Sequence, residues 1–210
     1  MRPYVVRQGD YLIKLAARDG FDADSVWNHP KNQALRAERK NPNMLHPGDV
    51  LFLPDEKAEW HELRVGSENM FTANVPTVSV TASFLRSGRP LANAKCRIEG
   101  VGWNADATTD GGGKLALQVP VTTQFVTVSF QEVPLVRTLC VGHLDPIDKP
   151  SGALERLRNL RYLPAHVTIG LEDPSALARV VTSFQKANKL PATGELDAAT
   201  LDALRKAHGS

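Results

Sequence analysis

The feature that most constrains this chain is a double switch in the spacing of its apolar residues. Residues 10–40 carry helical spacing, residues 76–141 alternate with period two, and residues 151–208 return to helical spacing with two capped starts. Proline-marked polar exits sit at both switches: Leu53-Pro54-Asp55-Glu56-Lys57, and Leu144-Asp145-Pro146-Ile147-Asp148-Lys149-Pro150. The expectation is a multidomain α+β chain of three modules, residues 1–54, 55–142 and 143–210. Modules this small bury too little surface to be very stable alone, which favours packing between them.

In the first module Tyr4-Val5-Val6-Arg7 reads as a strand and Gly9-Asp10 as a turn, with Asp10 placed as an N-cap for a helix whose stripe is Leu12, Ile13, Leu15 and Ala16. Asp24 or Ser25 is placed to cap a second helix holding Val26 and Trp27. After a polar insertion, Pro47-Gly48-Asp49 turns into a closing strand, Val50-Leu51-Phe52-Leu53. The expected order is strand, helix, helix, strand.

Tyr4-x-Val6-x-x-Gly9-Asp10 and Pro47-Gly48-Asp49-x-Leu51-x-Leu53-Pro54 resemble a LysM module over residues 3–54. The resemblance implies a βααβ fold that binds N-acetylglucosamine polymers in a shallow groove formed by Gly9, Asp10 and Tyr11 with Leu45, His46 and Pro47. Two features depart from the family: Tyr11 stands where threonine is usual, and the segment from His29-Pro30-Lys31-Asn32 to Asn41-Pro42-Asn43 is an insertion. His29, Asn32, Arg36 and Asn41 within it are candidate contacts to a glycan or a protein. Plain structural roles compete throughout: turn geometry for Gly9, capping for Asp10, core for Trp27, and turn chemistry for Asn41-Pro42-Asn43.

The middle module alternates: Val78, Val80, Ala82 and Phe84 share one face, as do Leu115, Leu117 and Val119, and Val126, Val128 and Phe130. Cys96 shares parity with Ile98 and reads as a small core residue. Thr108-Thr109-Asp110-Gly111-Gly112-Gly113 reads as a turn, since no helix follows the glycines as a phosphate loop requires. Pro90-Leu91-Ala92-Asn93-Ala94 followed by that turn resembles the carboxypeptidase-regulatory and immunoglobulin-like β modules, which implies an antiparallel β-sandwich spacer without catalytic residues.

The last module places Ala153, Leu154, Leu157 and Leu160 on one helical face. Asp173-Pro174 opens a second helix, and Asp197 opens a third that ends near Gly209. Gly152-x-Leu154-x-x-Leu157-x-x-Leu160-x-Tyr162, then Phe184-Gln185 through Thr193-Gly194-Glu195-Leu196-Asp197, resemble the three-helix peptidoglycan-binding domain over residues 146–208. The resemblance implies attachment to peptidoglycan, with Tyr162, Asp173 and Gln185 as candidate ligand residues and Phe184 as core. Arg161 replaces the family's glycine before Tyr162, and the segment Val167 to Ser175 departs from its Asp-Gly and Gly-Pro-x-Thr pattern.

Chemistry-bearing patterns are sparse. His29, His46, His61, His143, His166 and His208 lie in different segments, with no His-x-x-x-His or paired-cysteine spacing, so no metal or other cofactor is expected. The carboxylate pairs Asp22/Asp24 and Glu195/Asp197 flank helix starts, where capping accounts for them. No Gly-x-Ser-x-Gly occurs, and the three modules leave no stretch of about 100 residues for a hydrolase domain. No catalytic residue is assigned. The net charge of +2, without a run of five like charges, gives nucleic acid no footprint. No apolar stretch approaches the roughly 18 residues of a membrane span, so no membrane insertion is expected. Cys96 and Cys140 fit a reducing compartment, with a bridge between them left open.

Taken together, LysM, β spacer and peptidoglycan-binding module, joined by Val141-Gly142-His143-Leu144-Asp145-Pro146, resemble small bacterial proteins associated with type VI secretion and related contractile injection systems. Two expectations follow. One is a non-catalytic, bivalent peptidoglycan-binding protein; the other is an adaptor or chaperone that loads a spike component or effector, with glycan binding lost. The N-terminal sequence leaves no room for a signal peptide's apolar segment, so synthesis in the cytoplasm and export to the periplasm or a target wall by such a system is the expected itinerary.

Overall fold

The computed structural model describes residues 1–55, 62–70, 75–86, 89–163 and 173–209. Glu56-Lys57, His61, His166 and residues 167–172 lie outside them. The architecture is mixed α and β, with six α-helices and several antiparallel sheets among the described residues. The chain forms two compact units, Met1–His143 and Leu144–Ser210.

The first unit opens with β1 (Arg2–Val5), α1 (Leu12–Asp19) and α2 (Ala23–Trp27). The polar insertion is not bare loop: it holds a 3-10 turn (Pro30–Asn32) and α3 (Gln33–Glu38), because His29 accepts the Lys31 amide at 3.2 Å and Leu35 supplies a buried anchor. β2 (Val50–Leu53) returns antiparallel to β1, pairing Arg2 with Leu53 and Val5 with Val50. Leu12, Leu15, Val26, Trp27, Leu35, Leu45, Leu51 and Leu53 form the core beneath this pair. The cap of α2 is Asp22, two residues earlier than expected; its carboxylate accepts the Ser25 amide at 2.7 Å.

The rest of this unit is β3 (Thr77–Ser83), β4 (Leu85–Arg86), β5 (Arg89–Pro90), β6 (Lys95–Glu99), β7 (Ala105–Thr108), β8 (Lys114–Pro120), β9 (Phe125–Phe130) and β10 (Val136–Cys140). They pair as a four-stranded sheet in the order β10-β9-β6-β7, a β3-β8 ribbon and an antiparallel β4-β5 pair. The alternation predicted from sequence sets the core: Phe84, Cys96, Ile98, Leu115, Val119, Val126, Val128 and Phe130 are all buried. The glycine-rich segment is a turn, in which the Asp110 carboxylate accepts the Gly112 and Lys114 amides. Cys96 pairs with Phe130 and Cys140 with Phe125, at opposite ends of β9. Five strand residues span about 16 Å, well beyond disulfide reach, and both thiols are free.

The second unit contains α4 (Pro150–Asn159), α5 (Pro174–Ala187) and α6 (Ala198–His208). Asp173 caps α5 through the Ala176 amide at 3.0 Å, with Pro174 at the first helical position, and Asp197 caps α6 through the Thr200 amide at 2.7 Å. Gly209 ends α6 in the left-handed conformation. Leu154, Leu157, Leu163, Val181, Phe184 and Leu204 fill the core between the helices.

Candidate functional site

The turn after β1 is closed by its own side chains. Asp10 does not cap α1. Its carboxylate accepts the Arg7 amide at 3.0 Å and the Tyr4 hydroxyl at 2.7 Å, locking the Arg7–Asp10 turn on itself. The free amides of α1 are met from the insertion instead: Leu12 donates to the Pro42 carbonyl at 3.1 Å and Ile13 to the Asn43 side chain at 3.2 Å. Asn41 supports that arrangement by accepting the Asn43 amide at 2.9 Å. The residues chosen from sequence as turn chemistry thus serve as a remote helix cap.

Tyr11 is placed away from any open groove. Its side chain is 2% exposed and belongs to the core of the β strands, and its hydroxyl donates to the Val121 carbonyl at 2.9 Å. Burial raises its pKa above the ordinary phenol value. Gly142, just after β10, presses against this ring: a Cβ there would lie 2.8 Å from Tyr11, so only glycine fits, at φ +78°. His143 then covers Gly9, its imidazole 3.3 Å from where a Gly9 Cβ would sit, and its carbonyl accepts the Gln8 amide side chain at 3.3 Å. Lys14 closes the same turn by donating to the Gly9 carbonyl at 2.7 Å.

The opposite segment is brought close by backbone bonds, Gly48 to Val6 and Val6 to Asp49, both 2.9 Å. Leu45 is buried in the N-terminal core, while His46 and Pro47 are half-buried. Sequence reasoning missed what holds this segment. Arg39 and Asp49 form a buried two-pronged pair at 2.8 and 2.9 Å, and Asp49 also accepts the His46 amide at 2.9 Å. Burial works against the Asp49 charge, but the Arg39 and His46 bonds outweigh it and hold the carboxyl below its usual range. Arg39 sits in the basic stretch Arg36-x-x-Arg39-Lys40, and nothing in that pattern marks it as buried.

The candidate contacts in the insertion divide. Asn32 is fully buried: its amide donates to the Val26 and Phe52 carbonyls and its oxygen accepts the Phe52 amide, all at 2.8 to 2.9 Å. It joins α2 to β2 and presents nothing outward, correcting its reading as a contact residue. Asn41 is exposed, and His29 and Arg36 are half-buried, with Arg36 held by Asn28 at 2.9 Å.

In the second unit the polar motif residue Gln185 is fully buried and acts as a hub. Its amide nitrogen lies within 3.0 Å of the Thr193 hydroxyl, the Glu195 carbonyl and the Thr200 hydroxyl, and its oxygen accepts the Gly194 amide at 2.9 Å. It fixes the α5–α6 loop from inside and leaves no atom for a ligand. Tyr162 is half-buried with its ring edge-on to Phe184, centroids 5.2 Å apart. Asp173 is exposed at its cap, its carboxyl held below the usual range by the Ser175 hydroxyl and then the Ala176 amide.

Arg156 is the second internal anchor. It is fully buried on α4 and donates to the Asp145 and Gly152 carbonyls at 2.8 Å, while burial and then the nearby Arg205 charge pull its pKa down to about 10. Gly152 permits this approach, since a Cβ there would meet the Pro146 carbonyl at 2.1 Å. His208 lies close enough that burial, then the Arg156 charge, lower its pKa to about 4. Among the described residues no three His, Cys, Asp or Glu side chains gather into a metal site, and no helix is long and apolar enough to cross a membrane.

No curated protein and no solved structure matches the chain. The segment that runs from α4 through the Gln185-pinned loop into α6 does: residues 154–204 match the peptidoglycan binding domain family.

Proposed function

We propose that this chain is a non-catalytic peptidoglycan-binding protein that engages the wall through its C-terminal unit. The observation that carries the reading is the family match over residues 154–204, on a segment whose helices and loop are tied together by their own buried polar groups. Tyr162, Asp173 and the exposed face of the α5–α6 loop are the parts left for a ligand; Gln185 supports the loop from within. The test is cosedimentation of the full chain with purified sacculi. Retention in the pellet is the expected result, without release of soluble muropeptides. Protein left in the supernatant at low salt sinks the reading, and released muropeptides sink its non-catalytic part.

A second reading concerns the N-terminal unit, which we take as a LysM-derived module turned toward protein contact. Burial of Tyr11 in the β core and the placement of His143 over Gly9 favour it, because the turn that resembles one wall of a glycan groove is covered by the chain's own residues. In this reading the half-buried His29 and Arg36 and the exposed Asn41 meet a spike or effector of a contractile injection system, and the chain reaches the periplasm or a target wall with that machinery. Co-purification with a tagged spike component checks it. An Arg36→Glu variant is expected to lose the complex, and an undiminished complex removes this surface from consideration.

A further inference from the structure

The β strands of the first unit end in an open concavity of about 400 Å³ between the Gly100–Gly102 turn and the connection from Pro120 to Phe125. No charged side chain lines it. Phe125 forms one side with half of its surface exposed, and its ring is steadied by stacking on His143, centroids 6.3 Å apart at 29°. Thr122 and Gln124 supply an exposed hydroxyl and an exposed amide along the same edge. Gly100 runs so close to the Phe125 carbonyl that a Cβ would lie 2.6 Å from it, which couples the two walls, whereas at Gly102 nothing stands within 4 Å of a Cβ position and that edge is open. Trp103, next in the chain, is also half exposed.

We infer that this concavity is a glycan subsite, taking an N-acetylhexosamine unit of the same polymer that the C-terminal unit engages; the inference rests on that reading for its source of ligand. A pyranose offers an apolar C–H face and a rim of neutral hydroxyl and amide groups. The first suits an exposed aromatic ring, and the second suits hydroxyl and amide partners. A carboxylate-bearing stem peptide finds no opposite charge here, so the neutral lining selects the sugar over the peptide. The open shape fits a polymer passing across the surface rather than a small molecule enclosed on most sides. The segment that sequence reading assigned to a spacer thereby becomes the second contact of a bivalent binder, in place of the covered turn at Gly9 to Tyr11.

The experiment follows backbone amide shifts of the full chain on titration with a soluble N-acetylglucosamine tetramer and, separately, with a stem pentapeptide. The sugar is expected to move the amides of Gly100 to Gly102 and of Thr122 to Phe125, and the peptide to leave them still. Phe125→Ala is expected to weaken the sugar at this site about fivefold. Thr122→Lys, on an exposed turn, blocks the same edge without touching the core. In the sacculus assay both variants are expected to lose about tenfold in retention, because the second engagement is intramolecular. Shifts confined to residues 154–204, or peptide rather than sugar moving the Thr122–Phe125 amides, overturn the inference. Undiminished retention of both variants does the same while leaving the C-terminal reading in place; a wild-type chain that sacculi do not retain overturns that reading and this one with it.

Discussion

The two compact units use their buried polar groups over different distances along the chain. In residues 1–143 the Tyr11 hydroxyl reaches Val121, 110 residues away, Asn32 reaches Phe52, 20 away, and Arg39 reaches Asp49, 10 away. In residues 144–210 Gln185 reaches Thr193, Glu195 and Thr200, 15 away at most, and Arg156 reaches Gly152 and Asp145, 4 and 11 away. In the first unit the Tyr11 bond joins segments that sequence assigns to different modules, while the other two lie within residues 1–54; in the second the bonds of Gln185 and Arg156 span 15 residues at most. Local wiring leaves a fixed residue spacing that a family pattern can capture, and the match at 154–204 falls wholly inside it.

The largest expected effect tests whether the first unit is one cooperative body. Tyr11→Ala removes a buried ring from the β core and is expected to cost about 3–5 kcal/mol. Tyr11→Phe, which only orphans the Val121 carbonyl, costs about 1 kcal/mol. Urea unfolding followed by residue-resolved amide exchange should show Leu51 and Val128 losing protection together while Leu204 is unaffected. Loss confined to the strands from Thr77 onward would show that the two parts of the unit unfold separately.

The converse substitution sits in the other unit. Gln185→Leu keeps the volume but strands the Gly194 amide and the acceptors of Thr193, Glu195 and Thr200. With part of the loop relaxing into water, the cost is about 3 kcal/mol, confined to residues 144–210. An equal loss of protection at Leu51 would show that the units are not independent in stability.

This contrast also explains what was legible from residue spacing. Parity placed Cys96, Ile98, Val126 and Val128 in the core because a strand's period is two wherever it lies. Asp173 and Asp197 were readable as caps because a cap acts on amides two or three residues ahead. Asp10 met the same pattern and failed it, since the α1 amides found Pro42 and Asn43, some 30 residues on, and the carboxylate was taken by Tyr4. Tyr11 looked like a groove residue because position relative to Gly9-Asp10 cannot report that Val121 and Gly142 fold over it. Asn32 and Gln185 read as contact candidates because a polar side chain in a motif looks the same whether it faces a ligand or satisfies buried backbone.

Acid should separate the units again. His208 titrates near 6.5 when unfolded and at about 4 when folded, so the folded state favours its neutral form. That stabilisation is present above pH 6.5 and is lost as pH falls toward 4, amounting to about 2 kcal/mol once partial exposure is allowed for. The Asp49 carboxyl, also depressed in the folded state, stabilises the first unit above the ordinary aspartate range and fails only at still lower pH. Between pH 6.5 and 4 the C-terminal unit should therefore weaken first, and His208→Gln should flatten that dependence. A C-terminal unit whose melting temperature holds level across this window would remove His208 as the cause.

The smallest effect discriminates between a local and a remote cap for α1. If Asn43 supplies the cap, Asn43→Ala costs about 1 kcal/mol and speeds exchange of the Ile13 amide specifically. Asp10→Ala should instead free the Arg7 amide and leave Ile13 protected, because its carboxylate bonds the turn and the Tyr4 hydroxyl rather than the helix. Faster exchange at Ile13 in the Asp10 variant alone would restore the local cap. The first unit would then owe one less of its contacts to distant sequence, and the insertion around Asn41-Pro42-Asn43 would be released from a structural duty that here ties it to the start of α1.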